Sequence, residues 1–312
     1  MLALGIPVLA PVATAAAAPP EQCLQHPMAT LPELTAFGPS AVAPGGRFVS
    51  GGAEAAADRQ TAVQWIDGVP ENVGMVAEYT FASDVNDAGQ LVVLGRTRGS
   101  YRSFIYDDGT LQNLPTPPGY TQAVARFISN TTGVVAGVTY SDASKLRAVI
   151  WGADHQPHVL PVPDGFDDVT VNDIDEDGTV VGSVIARDGD VVSAAYWLPD
   201  GTVTLLPGTS SSEVTAVRDG VAVGTDSGQA VRWVLGSGEP GTPFAAGRPV
   251  AIAGDGTVLM EHSVITPDGV ERQLEQKHPD EYGVWAAGID DNHQVYGLEN
   301  AFTGGAVRWD CS

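Results

Sequence analysis

A short phrase ending in an aromatic residue recurs along this chain about every 32 to 46 residues. Its copies are Thr61-Ala62-Val63-Gln64-Trp65, Arg102-Ser103-Phe104-Ile105-Tyr106, Arg147-Ala148-Val149-Ile150-Trp151, Ser193-Ala194-Ala195-Tyr196-Trp197, Gln229-Ala230-Val231-Arg232-Trp233 and Gly305-Ala306-Val307-Arg308-Trp309. A weaker copy, Glu261-His262-Ser263-Val264-Ile265, stands between the last two. Self-similarity at such a period means stacked supersecondary units that bury a continuous core only together. The repeat constrains architecture strongly and chemistry hardly at all.

Each copy sits in a longer pattern. Before the phrase come an apolar strand, a tight turn and a second strand ending in glycine or a small residue, as in Val171-Asn172-Asp173-Ile174-Asp175-Glu176-Asp177-Gly178-Thr179-Val180-Val181-Gly182. After the aromatic come an Asp-Gly turn and a strand often closing on Leu-Pro, as in Asp200-Gly201-Thr202-Val203-Thr204-Leu205-Leu206-Pro207. β-Branched residues, period-2 alternation and Asx-Gly turns give four short strands per unit. No sustained helical stripe interrupts them. The expected fold is therefore all-β: a seven-bladed β-propeller of four-stranded blades, in which circular closure removes long exposed sheet edges. The seventh unit stops at Trp309-Asp310-Cys311-Ser312 without its last strand. A spare strand near the N-terminus, Met28-Ala29-Thr30-Leu31-Pro32-Glu33-Leu34, is expected to complete that blade and close the ring.

The two cysteines, Cys23 and Cys311, lie at opposite ends of the 312 residues, and ring closure would bring them together. An even pair in an exported chain predicts a disulfide. By loop entropy, closing about 290 residues is worth roughly 5–6 kcal/mol. Export itself is expected from residues 1–18, which carry no charge and run from an apolar stretch into Ala13-Thr14-Ala15-Ala16-Ala17-Ala18. That is the form of a secretory signal peptide, too short to span a bilayer. Residues 19–312 would then form one domain, secreted and extracellular. Acidic residues outnumber basic ones 38 to 15, for a net charge of −23. Phosphate backbones and anionic lipid surfaces call for clustered Lys and Arg, so neither nucleic acid nor membrane is expected as a partner.

The copies resemble the HAF-type extracellular repeat, a family of exported bacterial proteins named for a His-Ala-Phe run before an aromatic. The likeness covers roughly residues 35–312. It rests on the Val/Ile-Asn-Asp-x-Gly-Gln-Val-Val-like turn, at 85–93 and 289–295, and on the Ala-x-x-Trp strand. At the naming position this chain carries Thr61, Arg102, Arg147, Ser193, Gln229 and Gly305, and the phenylalanine survives only as Phe104. The resemblance implies a secreted β-propeller and lends no catalytic residues.

Candidate chemistry is sparse. Asp173-x-Asp175-x-Asp177-Gly178 has the spacing of half a calcium loop. The position of the closing bidentate acid falls on Val184, and Asp, Asn and Gly are also what hairpin turns require. No cofactor is expected, and calcium on Asp173, Asp175 and Asp177 is the one weak alternative. His155 and His158 lie in a Pro-containing turn without a third ligand, and no Gly-x-Ser-x-Gly elbow is present. Asp84 and Asp173 fall at equivalent innermost-strand positions, with Arg126 close to the same register. They are the candidates for an axial-channel site, against the plainer reading of a solvated channel lining. The tryptophans at one recurring register are expected to be inter-blade core.

Loop geometry offers more. In four-stranded antiparallel blades the first and third turns share one face, while the second turn and the inter-blade link share the other. The first set is tight and acidic. The second is long and variable and collects Tyr79, Phe81, Tyr101, Tyr120, Tyr140, Phe166, Tyr282 and Trp285. Variable loops on a rigid scaffold carry binding, and aromatics dominate interface hot spots. The expected function is non-catalytic binding of a secreted or cell-surface protein through that face, with a glycan the less favoured ligand. One alternative is an extracellular polysaccharide hydrolase or lyase with acids at the axial mouth. Another is a calcium-dependent cell-surface structural protein.

Overall fold

A computed structural model describes residues 22–55, 59–141, 145–278, 283–299 and 305–312; the expected signal peptide at 1–18 lies outside them. Twenty-eight strands and no helix occur among the described residues, so no helix there is long and apolar enough to cross a membrane. The strand pairings sort into seven antiparallel quartets, over 35–74, 79–114, 122–159, 166–205, 212–246, 249–274 and 284–310. The last takes its fourth strand from Gln22–Pro27. Three quartets stand alone as sheets. The others join in two pairs through brief parallel contacts, Gln60 with Tyr79 and Gln22–Cys23 with Gln273–Leu274. The first strand of every quartet lines one common cavity, the radial arrangement of a β-propeller.

The recurring tryptophans hold neighbouring quartets together. Trp65, Trp151, Trp197, Trp233 and Trp309 are each at most 1% exposed, in the expected core position. Every indole N–H donates to a carbonyl just past the last strand of the preceding quartet: Ala29, Pro115, Pro161, Pro207 and Glu275, at 2.8–2.9 Å. A buried indole needs such an acceptor, and a carbonyl freed at a strand end supplies it. The leucines before three of these carbonyls, Leu114, Leu160 and Leu206, are buried beside them. The Leu-Pro ending thus combines an apolar plug with an indole acceptor.

The same contact corrects the expected closing strand. Trp65 selects Ala29, so Met28-Ala29 takes the place that Leu-Pro holds elsewhere, three residues before the Leu31-Pro32 that resembles it. The closing strand is Gln22–Pro27, paired antiparallel with Gly305–Asp310 through Leu24 with Asp310, Gln25 with Trp309 and His26 with Arg308. Residues 28–34 instead form the link into the first quartet, with a turn from the Leu34 N–H to the Leu31 carbonyl. Closure by an N-terminal strand holds, one segment earlier than expected. The Cys23–Cys311 disulfide forms there, with both residues buried.

Each inner strand also carries a β-bulge at one common register. The skipped residues are Ser40, Ser83, Arg126, Asn172, Thr215, Val250 and Ala287. In five of the quartets the partner strand places Gly51, Gly137, Gly182, Gly224 or Gly297 opposite the residue before the bulge. A Cβ on Gly182 would lie 2.0 Å from the Thr170 carbonyl oxygen. The bowed strand leaves room only for glycine, which explains the glycine that closes the second strand.

Candidate functional site

Two adjoining cavities, the first at the propeller axis and the second among the first three quartets, share Ser40, Ser83 and Phe127 in their walls. The first lies toward the tight-turn face and measures about 180 Å³. Asp84 and Asp173 are set into its wall, the residues that follow the bulge in the second and fourth quartets. Each carboxylate takes one N–H of its own strand and one of the next quartet. Asp84 accepts from Val85 and Ile128, both at 2.8 Å, and Asp173 from Ile174 at 2.8 Å and Val217 at 2.9 Å. Burial pushes both up to about 7 against these hydrogen bonds, and at Asp173 the charges of Asp84 and Asp175 add to the rise. The acids therefore tie quartets together where they have lost most of their water.

Arg218 crosses the outer mouth of this cavity. Its guanidinium lies 2.8 Å from Glu176 in the fourth quartet and 2.9 Å from Asp291 in the seventh, with the side chain 16% exposed. Burial, and the hydrogen bond to Asp175, push Glu176 up. Burial acts on Asp175 in the same direction, but the hydrogen bonds from Glu176, Gly220 and Asp219 outweigh it and hold Asp175 down. The other turn acids are similarly occupied. Asp87 accepts from Gly45, Asp291 from Gly254, and Asp175 from the Asp219 and Gly220 N–H groups.

The half calcium loop does not converge. Asp173 faces the cavity wall, Asp175 caps the next quartet, and Asp177 accepts from Thr179 within its own turn. Among the described residues no group of three or more His, Cys, Asp or Glu side chains is placed to hold a metal ion.

The second cavity opens toward the long-loop face and measures about 620 Å³. Four of the eight aromatics singled out in the sequence line it: Tyr79, Phe81, Tyr101 and Tyr140. Strand register brings them together. Tyr79, Arg96 and Tyr101 sit directly opposite one another on three adjacent strands, so they share one face of the second quartet. The Arg96 guanidinium stacks 5.0 Å above the Tyr79 ring. From the third quartet the Gln122 side chain accepts the Tyr101 N–H at 3.2 Å, and Arg126 enters the cavity as the extra residue of its bulge.

Arg126 stands one residue before the position of the two acids with which its spacing groups it. The residue equivalent to Asp84 and Asp173 in the third quartet is Phe127, whereas Arg126 matches Ser83 and Asn172. It is exposed and lines the aromatic cavity, with no place in the wall of the acidic one.

The remaining aromatics stay outside this cavity. Tyr120 is half-buried in its loop, and Phe166 packs half-buried on the core between the third and fourth quartets. Trp285 is 70% exposed on the seventh quartet, and Tyr282 lies outside the described residues. Among the wall residues not singled out in the sequence are Gln60 and Arg96. Neither stands at a recurring position of the repeat, and only the scarcity of basic residues in the chain marks Arg96 at all.

No protein-family model matches the chain, and comparison with curated proteins finds no match. Among solved structures it is similar to virginiamycin B lyase from Staphylococcus aureus, at 12% identity and a TM-score of 0.57, over 93% of this chain and 99% of that one. A structure described as YCF48 bound to D1 peptide matches at 12% identity and 0.55, over 96% and 97%. The Pyrococcus horikoshii acylaminoacyl peptidase matches at 13% and 0.59, over 88% of this chain and 52% of the peptidase. At these identities the likeness shows the β-propeller fold, shared by proteins of diverse roles.

Proposed function

We propose that this protein is a secreted, non-catalytic binding propeller of the HAF-type repeat kind, which recognises a secreted or cell-surface protein through its long-loop face. The observation that carries this reading is the aromatic cavity of about 620 Å³ at that face, with Tyr79, Phe81, Tyr101 and Tyr140 in its wall. Its size falls within the roughly 300–1,000 Å³ of ordinary ligand sites, whereas the acidic cavity, at about 180 Å³, falls below it. Tyrosines offer large rigid contact area with few rotors, which favours recognition of a protein surface. A disulfide joining the chain ends fits an oxidising compartment, and the uncharged apolar segment 1–18 fits export. YCF48, with its peptide, illustrates that a propeller of this size can present a peptide site.

The reading is tested by capture from the culture supernatant with the tagged protein, followed by mass spectrometry. One stoichiometric partner is expected with the parent protein and lost with Tyr101→Ala/Tyr140→Ala, whose melting temperature serves as the folding control. Capture that survives the double substitution, or no partner at all, overturns the proposal.

A further inference from the structure

The aromatic cavity differs from the rest of the molecule in charge. The chain carries 38 acidic side chains, yet among the described residues no Asp or Glu lines this cavity, while two of its 13 arginines do. Neither arginine has an acidic partner among the described residues. Arg96 stacks on Tyr79, and Arg126 is exposed without a hydrogen bond or ion pair to the described residues. The contrast with the other large cavity is direct. That space, about 580 Å³ between the first and seventh quartets, holds Arg47 and Arg308 together with Asp67 and Asp290, and Arg47 lies 3.4 Å from Asp67. Arginines elsewhere are likewise engaged, Arg218 by Glu176 and Asp291 and Arg147 by the Leu146 and Asp167 carbonyls.

An unpaired guanidinium in a partly enclosed, acid-free space is a carboxylate receptor in waiting, because its planar fork matches a carboxylate and is weakly hydrated. The remaining polar groups in the wall point the same way. Gln60, Ser40, Ser83 and the tyrosine hydroxyls are few and neutral, so most of the hydrogen-bonding capacity belongs to the ten N–H donors of the two arginines. A neutral sugar could use the few neutral groups but brings no charged acceptor for the ten guanidinium N–H donors. An acidic peptide brings acceptors.

We propose that the cavity receives an acidic peptide segment of the partner, with a Glu or Asp carboxylate held by Arg126 and Arg96 and a neighbouring apolar or aromatic side chain against Phe81, Tyr101 and Tyr140. This inference rests on the protein-binding reading above and specifies the chemistry of its ligand.

The test uses fluorescence anisotropy at physiological ionic strength with two labelled probes, a Tyr-Glu-Gly repeat peptide and its Tyr-Gln-Gly counterpart. The acidic probe is expected to bind about tenfold or more tightly than the neutral one, the difference one charge-assisted contact supplies. Arg126→Gln is expected to remove most of that preference, and Arg126→Glu to abolish binding of the acidic probe. Arg126 supports no other contact, so both variants should melt with the parent. Equal affinity for the two probes, no binding of either, or an Arg126→Gln protein that still prefers the acidic probe overturns the inference. Oligogalacturonate bound in an Arg126-dependent way, with no peptide binding, also overturns it by assigning the carboxylate to a glycan. Where the probes fail but partner capture is still lost in Tyr101→Ala/Tyr140→Ala, the carboxylate falls and the protein-binding reading stands. Where capture is also indifferent to those tyrosines, both fall.

Discussion

The tight-turn and long-loop ends of the propeller meet along the inner strands of the first three quartets, where their cavities share Ser40, Ser83 and Phe127, and use their polar side chains in opposite ways. At the tight-turn end, acids are consumed by the fold. Asp84, Asp87, Asp173, Asp175 and Asp291 each accept a backbone N–H from a neighbouring quartet, and Arg218 is held between Glu176 and Asp291. At the long-loop end, Arg126 is committed to no other described residue, and the aromatic side chains beside it stand around open space. A catalytic acid needs a carboxylate free to meet a substrate, whereas Asp84 and Asp173 spend both oxygens on main-chain donors and Glu176 is paired with Arg218. Perturbed titration identifies a functional site only when the group is also geometrically available.

The strongest way to break this comparison is to open the ring, which should degrade both ends together. Cys23→Ser/Cys311→Ser is expected to cost about 2–5 kcal/mol. Denaturant midpoints with and without reductant check it, and a parent protein indifferent to reductant would contradict the role of the disulfide.

A more selective cut is Asp173→Ala, which leaves the Val217 N–H without its acceptor. The expected loss is about 1–3 kcal/mol, with partner capture unchanged in the folded protein. Lost capture at full stability would assign Asp173 a functional part and erase the distinction between the two ends.

Titration sharpens the comparison further. Asp84 and Asp173 sit at about 7 in the folded protein, well above the carboxylate of an unfolded chain near 4. The folded state therefore holds more protons between those values. Their favourable contribution is complete below about pH 4 and is lost as pH rises through about 7. The melting temperature is expected to fall from pH 5 to pH 8 and to fall less in Asp84→Asn/Asp173→Asn. Glu176, pushed up in the same direction, retains part of the slope. An unchanged slope in the double variant would remove these acids from the account.

The smallest effect is expected at the other end. Arg126→Gln should change stability by less than about 0.5 kcal/mol, as for an exposed residue without partners. A larger loss in thermal melts would show that this arginine also belongs to the fold.

Much of the architecture is legible in the chain. The aromatic phrase, the Asx-Gly turns and the glycine of the second strand record local requirements of a blade, repeated often enough to be recognised. The buried tryptophans and the cysteine pair follow directly. The closing strand is less legible, because Met28-Ala29 does the work of Leu-Pro without its residues, and only the Trp65 indole identifies it. The long-loop face is readable from turn order, yet the aromatics placed on it divide. Tyr79, Phe81, Tyr101 and Tyr140 converge from the second and third quartets, while Phe166 and Trp285 belong to the fourth and seventh and Tyr120 stays in its loop.

The sequence by itself determined the strand period, the turns, the repeat and the residues that must be buried, since all of these are set within one unit and its immediate neighbours. The tertiary structure alone decided which polar residues meet. Arg126 is the bulge residue of its strand, one step before the position that Asp84 and Asp173 hold in theirs, and it lines the aromatic cavity while the two acids are set in the wall of the acidic one.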